Sequence, residues 1–240
     1  MVFLTRVPVG GSPYSDDDWR WAAAHFPLVG ALVGAAVGAV DRLLLPLGPW
    51  AAAILAVGAS LMLTGALHED GFADTSDALG GGHSRENVLA ILKDSRIGVF
   101  GGCALVVSIA GRAALVARLG EGALWALPLA GATARLAAVG QMVTMPYVTD
   151  AAVARSAGVA AAGPAQAATG AAWTVAIATA LAASGHVPWA RVAAATAATA
   201  VVAALTAWRY RTRVGGVTGD FLGATEQLCE LAVLAALAWG

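Results

Sequence analysis

Residues 26–47 read FPLVGALVGAAVGAVDRLLLPL, an apolar stretch whose only charges, Asp41 and Arg42, fall near its end. As a helix it covers the roughly 20 residues that a bilayer core demands. Comparable runs follow at about 49–67, 98–119, 122–143, 165–185, 187–208 and 222–239. Together they predict an all-α, polytopic integral membrane helical bundle of about seven transmembrane helices, with residues 1–240 forming a single transmembrane domain. Within the first run Gly30, Gly34 and Gly38 recur every fourth position. Small residues so spaced lie on one helix face and let another backbone come close.

Composition agrees with a chain solvated by lipid. Apolar residues make up 59% and charged residues 12%, against about 45–50% and about 25% in soluble domains. The first run begins only after the charged stretch Asp16–Arg20 and is long enough to span, so no cleavable signal peptide is expected. Cys103 and Cys229 fall inside separate runs and read as small buried residues, not a disulfide. A net charge of -1 gives no footprint for nucleic acid. The small-residue spans suit a homo-oligomer in membrane lipid, and they equally suit packing within one chain.

Positive charge fixes the expected orientation. With the N-terminus inside, the segments 1–25, 68–97, 144–164 and 209–221 carry Arg6, Arg20, Arg85, Lys93, Arg96, Arg155, Arg209, Arg211 and Arg213. The opposite connections are short turns with Arg118 and Arg191 at their edges. Lys and Arg are retained on the cytoplasmic side, so the expectation is a multi-pass protein of a bacterial inner membrane with its polar chemistry facing the cytoplasm.

That chemistry concentrates in Thr64–Leu79, TGALHEDGFADTSDAL. Asp70, Asp74 and Asp77 are spaced i, i+4, i+7 and share one face of a helix. Three like charges there repel unless a cation sits among them, and Mg²⁺ prefers carboxylate oxygens shared with water and substrate phosphate. Carboxylates at the edge of hydrocarbon are costly enough to suggest function. Further on, Lys93-Asp-Ser-Arg-Ile-Gly98 places Lys93 and Arg96 as i, i+3 neighbours on a predicted helical turn, where they could hold phosphates. Gly80–Gly82 and Gly101-Gly102 allow close backbone approach to a ligand.

A second polar stretch, residues 215–230, reads GGVTGDFLGATEQLCE. Glu226 and Glu230 lie i, i+4 at or inside the membrane and need a proton, a cation or an arginine; Arg112 and Arg135 have the converse need. Asp220, in a Thr-Gly-Asp turn, is placed to meet the first acidic cluster. His68 sits beside the carboxylates as a candidate for substrate contact, whereas His25 reads as interfacial packing.

These elements resemble the cobalamin synthase family, the adenosylcobinamide-GDP ribazoletransferases. The matching segments are Leu4-Thr-Arg-Val-Pro8, Phe26-Pro-Leu-Val-Gly30, His68-Glu-Asp-Gly-Phe-Ala-Asp-Thr-Ser-Asp77, Lys93–Gly98 and Gly215–Ala224, in the family's order over nearly the whole chain. The resemblance implies a Mg²⁺-dependent membrane phosphotransferase that joins α-ribazole, or its 5′-phosphate, to adenosylcobinamide-GDP and releases GMP. It implies a metal role for Asp70, Asp74 and Asp77, a catalytic role for Asp74, Asp77, Lys93 and Arg96, and substrate contact from His68, Glu69, Asp94, Ser95, Arg135, Thr218, Asp220 and Glu230. The chain departs from the family pattern after Met145-Pro-Tyr147, where Val148-Thr-Asp150 replaces Ala-Arg and a glycine-rich turn. It also departs at Phe72, usually leucine, and at Glu226, displaced by one position from the usual first glutamate.

Two other readings remain at this point. A CDP-alcohol phosphotransferase acting on lipid would carry an Asp-Gly-x-x-Ala-Arg segment, which this chain lacks. A transporter or ion-coupled carrier could use intramembrane carboxylates, but no second copy of the acidic motif is visible.

Overall fold

The computed structural model describes residues 3–8, 15–148 and 161–239; Thr149, Asp150 and Arg155, used above, lie outside them. Among the described residues the chain is helical, with one isolated bridge between Tyr147 and Val217 and no strand. The helices are α1 (Asp16–Ala22), α2 (Phe26–Leu44), α3 (Pro49–Thr64), α4 (Leu67–Gly81), α5 (Arg85–Ile91), α6 (Val99–Leu119), α7 (Ala123–Thr144), α8 (Pro164–Ala183), α9 (Trp189–Val214) and α10 (Gly219–Ala238).

Among the described residues five helical stretches are long and apolar enough to cross a membrane, or six when the bent pair α3 and α4 counts as one span. One of the five runs from Val99 to Thr144 and contains the 3-10 turn Gly120–Gly122. Its two arms, α6 and α7, run in opposite directions. Ser108 and Gly111 of α6 meet Gln227 and Leu231 of α10, and Arg118 donates to the carbonyl of Ala238, so α6 lies parallel to α10. Gln141, near the end of α7, meets Thr225 near the start of α10, so α7 returns antiparallel to it. The seven apolar runs of the sequence therefore fold as five or six candidates by length and composition, one of which is a helical hairpin.

The glycine stripe of α2 packs on α7. A β-carbon at Gly30 would overlap the Gly131 carbonyl, one at Gly34 would overlap the backbone at Leu127 and Pro128, and one at Gly38 would stand 2.9 Å from the Leu124 Cα. The small residues thus serve contact within the chain. Both cysteines are free, with Cys229 buried and Cys103 exposed. His25 Nδ1 accepts a hydrogen bond from Trp173 Nε1 at 3.2 Å, consistent with its reading as a packing residue.

The run predicted at 49–67 breaks early. Gly65 (φ 69°) and Ala66 (φ 56°) both adopt left-handed backbone, and α4 leaves at 93° to α3. Glycine takes this conformation freely and alanine does not. The N-terminal segment holds the break: the Arg6 amide donates to the Leu63 carbonyl at 2.8 Å, and the Arg6 side chain lies over Gly65. The bend sets α4 against α6 and α10, with His68, Glu69 and Thr75 buried in the bundle.

The α2–α7 seam yields a test. Gly34→Val should destabilise the protein by about 2 kcal/mol or more through overpacking, and Gly58→Ala, at a position with open space, should not. Thermal unfolding of the detergent-solubilised protein measures the difference; equal midpoints for the two variants would refute the close seam.

Candidate active site

Four helices are cross-linked by buried charge. Arg112 of α6 donates to Glu69 of α4 at 2.8 Å and stands 3.8 Å from Glu230 of α10. Arg135 of α7 stands 2.8 Å from Glu226 of α10 and 4.0 Å from Glu230. His68 Nδ1 approaches Glu226 at 3.6 Å. Gln227 donates to Glu226 at 3.0 Å and accepts from Ser108 at 3.4 Å. Glu69, Arg112, Arg135 and Glu226 are each no more than 5% exposed. The expected pairing of Arg112 and Arg135 with the glutamates is therefore present, but its emphasis differs. Glu226 makes the short contact and lines a cavity, while Glu230 makes only the longer ones.

Asp70, Asp74 and Asp77 all lie on α4, and Asp220 comes to them at the start of α10. Thr218 caps α10 by accepting from the Phe221 amide at 3.2 Å, which puts Asp220 in the first turn, where the helix dipole favours negative charge. Helices α4 and α10 nearly touch there: a β-carbon on Gly71 would stand 2.9 Å from the Asp220 Cα, and Gly223 packs against the His68 backbone at 3.4 Å. Asp74 feels the charges of Asp70, Asp220 and Asp77.

The three aspartates of α4 are not equivalent. Both oxygens of Asp77 accept backbone hydrogen bonds from the start of α6, from Gly98 at 2.7 Å and Gly101 at 2.8 Å. Gly101 gives close approach to this carboxylate, not to a ligand, and Gly80 packs on the Phe100 ring. Sequence reasoning missed the capping role of Asp77, since nothing local links residues 21 positions apart. Among the described residues no Arg, Lys or His forms an ion pair with Asp70, Asp74 or Asp220. These hard oxygen donors therefore lack a protein cation. Among the described residues no group of three His, Cys, Asp or Glu side chains forms a ready-made metal cage. The donor set suits Mg²⁺, which retains water and substrate oxygens and binds through one or two carboxylates.

The predicted helical turn at Lys93–Gly98 is a loop between α5 and α6. Asp94 competes with helix formation by accepting from the Arg96 amide at 3.1 Å and from the Arg96 guanidinium at 2.6 Å. The Arg96 hydrogen bonds hold the Asp94 carboxyl down to about 2. Arg96 and Ser95 are exposed, and the structure does not bring Arg96 together with Lys93. Lys93 instead shares a cavity of about 360 Å³ with Arg85, Thr218 and Asp220. Arg85, which sequence reasoning treated only as orienting charge, is anchored by donating to the Val214 carbonyl at 2.9 Å. A larger cavity of about 620 Å³ has His68, Asp70, Arg135, Asp220 and Glu226 in its wall beside aromatic rings. Asp220 belongs to both cavities.

This is the architecture of a polytopic membrane transferase, with an acidic cluster between a basic cavity and an apolar one. The chain belongs to the cobalamin-5-phosphate synthase family, whose description matches residues 1–238. It is similar to the adenosylcobinamide-GDP ribazoletransferase of Leptothrix cholodnii, at 42% identity over 100% of this chain and 92% of that protein. It is likewise similar to those of Rhizobium etli strain CIAT 652, at 39% identity over 99% and 94%, and Ralstonia pickettii, at 39% over 99% and 93%. No solved structure matches. By this membership the chain is a transferase of cobalamin biosynthesis, and not the carrier or lipid phosphotransferase also considered.

The charge network makes its own prediction. Arg112→Met leaves Glu69 without its buried partner and should cost about 3–5 kcal/mol, and adding Glu69→Gln should recover part of the loss. Unfolding midpoints of the single and double variants decide it; a double variant no better than the single would show that the pair is not coupled.

Proposed function

We propose that this chain joins α-ribazole, or its 5′-phosphate, to adenosylcobinamide-GDP with release of GMP, using Mg²⁺ that Asp70, Asp74 and Asp220 would hold. The observation that carries this reading is that, among the described residues, these aspartates alone of the acids in the two polar motifs have neither a cationic partner nor a helix to cap. Family membership supplies the substrates, and the aspartates supply a place to handle a diphosphate.

Phosphoryl transfer asks a protein for alignment and charge neutralisation more than for covalent help. A hydroxyl oxygen of the ribazole sugar bonds to the phosphorus on the cobinamide side, the bond from that phosphorus to the GMP oxygen breaks, and GMP leaves with the electron pair. A carboxylate of the Asp70, Asp74 and Asp220 group accepts the hydroxyl proton. Bound Mg²⁺ supplies neutralisation of diphosphate charge. Lys93 and Arg85, facing one cavity with Asp220, stabilise the departing phosphate. Arg96 lines neither cavity and is tied to Asp94, so it has no part in this step.

We further place the site at the cytoplasmic face of a bacterial inner membrane. The basic residues of the α5 loop and of the α9 terminus, Arg85, Lys93, Arg96, Arg209, Arg211 and Arg213, support that orientation. The glycine stripe is used between α2 and α7, so it gives no argument for a homo-oligomer.

Reconstituted protein given adenosylcobinamide-GDP and α-ribazole phosphate should release GMP, and a chelator should abolish release until Mg²⁺ is restored. Asp74→Asn should lower the rate by at least about a hundredfold, the scale lost with an electrostatic stabiliser, whereas Arg96→Ala should change it by less than about threefold, as expected of an exposed pair. GMP release by Asp74→Asn at the wild-type rate would remove the acidic cluster from the mechanism. Orientation is read separately: in a Cys103→Ala background, Ser95→Cys should react with an impermeant maleimide in inside-out vesicles and stay unlabelled in intact spheroplasts.

A further inference from the structure

The larger cavity has a composition that the reaction alone does not require. Phe3 stacks on Phe26 with ring centroids 5.8 Å apart and meets Trp19 edge-on at 6.4 Å, and all three rings line the cavity. Arg135 and Glu226, 3% and 1% exposed, line it as well. Each keeps a buried polar atom without a hydrogen-bond partner, Arg135 Nε and Glu226 Oε1; the latter faces Arg135 as an ion pair without hydrogen-bond geometry. Glu226 Oε1 has its arginine, but a buried Arg135 Nε left without an acceptor points to a missing polar partner. Gln227, held by Ser108, fixes the Glu226 carboxylate in position.

Resting on the function proposed above, we propose that this cavity is the binding site of the ribazole substrate, with its planar benzimidazole among the aromatic rings and its sugar toward Asp70 and Asp220. A riboside of a benzimidazole carries a ring-nitrogen acceptor and hydroxyl donors, which complement a guanidinium and a carboxylate. Its flat apolar bicycle suits aromatic walls. About 620 Å³ lies in the range of single-ligand pockets; it holds a nucleoside and does not hold a corrinoid ring with its side chains. A lipid tail would set hydrocarbon against this buried ion pair and leave Arg135 Nε without an acceptor. Beyond the acidic cluster a diphosphate would meet the Glu226 carboxylate, while Arg85 and Lys93 line the other cavity. Since Asp220 walls both, a sugar hydroxyl leaving the aromatic cavity meets the phosphates at the acidic cluster.

Binding of each substrate alone to the full chain in nanodiscs tests this directly. Met142 and Ala138 line the cavity. Met142→Trp and Ala138→Leu should weaken α-ribazole binding by about tenfold or more, roughly the effect of 1.4 kcal/mol, and leave adenosylcobinamide-GDP binding within about twofold. Gly58→Ala, at an open position outside both cavities, should leave both unchanged. Retained adenosylcobinamide-GDP binding shows that the filled variants fold. Unchanged α-ribazole affinity in both filled variants, a loss confined to adenosylcobinamide-GDP, or equal loss of both substrates in both variants overturns the assignment, as does failure of the wild type to bind α-ribazole. A wild type that binds both substrates in the presence of Mg²⁺ yet releases no GMP overturns the reaction instead and leaves the cavity assignment standing.

Discussion

Buried charge must be paired, and in this bundle that requirement fixes how four helices meet. Glu69, Glu226 and Glu230 bring three carboxylates into the interior, where Arg112, Arg135 and His68 face them. Removing one partner from such a pair costs more than the intact pair contributes, because the remaining charge stays in a medium that solvates it poorly. The network therefore acts mainly on register. It allows α4 one depth against α6 and α10 and allows α7 one face toward α10. Sliding any of these by a turn would strand a charge.

The same requirement sorts the acids by role. Glu69, Glu226 and Glu230 are answered by arginine, and Asp77 by the amides that open α6. Asp70, Asp74 and Asp220 are left crowded together with no ion-paired cation among the described residues. That the deepest carboxylates are satisfied while these three are left to one another is what supports the external cation proposed above. The helix break makes that arrangement attainable. Without the left-handed pair Gly65 and Ala66, α3 would continue straight, and the acidic face would not turn toward α10.

Much of this was legible in the sequence, and what was not has local causes. The spans could be read because lipid selects a long apolar run whatever its partners, and the α2 glycines because their period matches a helix face. The need of Glu226 and Glu230 for a proton, a cation or an arginine followed from the cost of charge in hydrocarbon. Which arginine answers which glutamate depends on helix depth, which no spacing encodes. The loop at Lys93–Gly98 was misread as helix because Lys and Arg at i, i+3 suit one; Asp94 overrides that preference by bonding the Arg96 amide. Arg85 was overlooked since a lone arginine near a span end reads as orienting charge, and only the fold brings it to the wall that Lys93 and Asp220 share.

Close approach of two backbones sets the chemistry at the point where the cavities meet. Gly71 lets α4 lie almost on the first turn of α10, and Gly223 does the same one turn along against His68. With larger residues there the helices would separate, Asp220 would withdraw from Asp70 and Asp74, and the wall common to the two cavities would open. The dipole of α10 offsets part of the repulsion by favouring a negative charge at its first turn, and the Thr218 cap holds that turn closed. The acidic cluster is thus maintained by glycine contacts and a helix terminus, neither of which consumes the carboxylate oxygens. Those oxygens remain available to a cation and to the groups that meet across it.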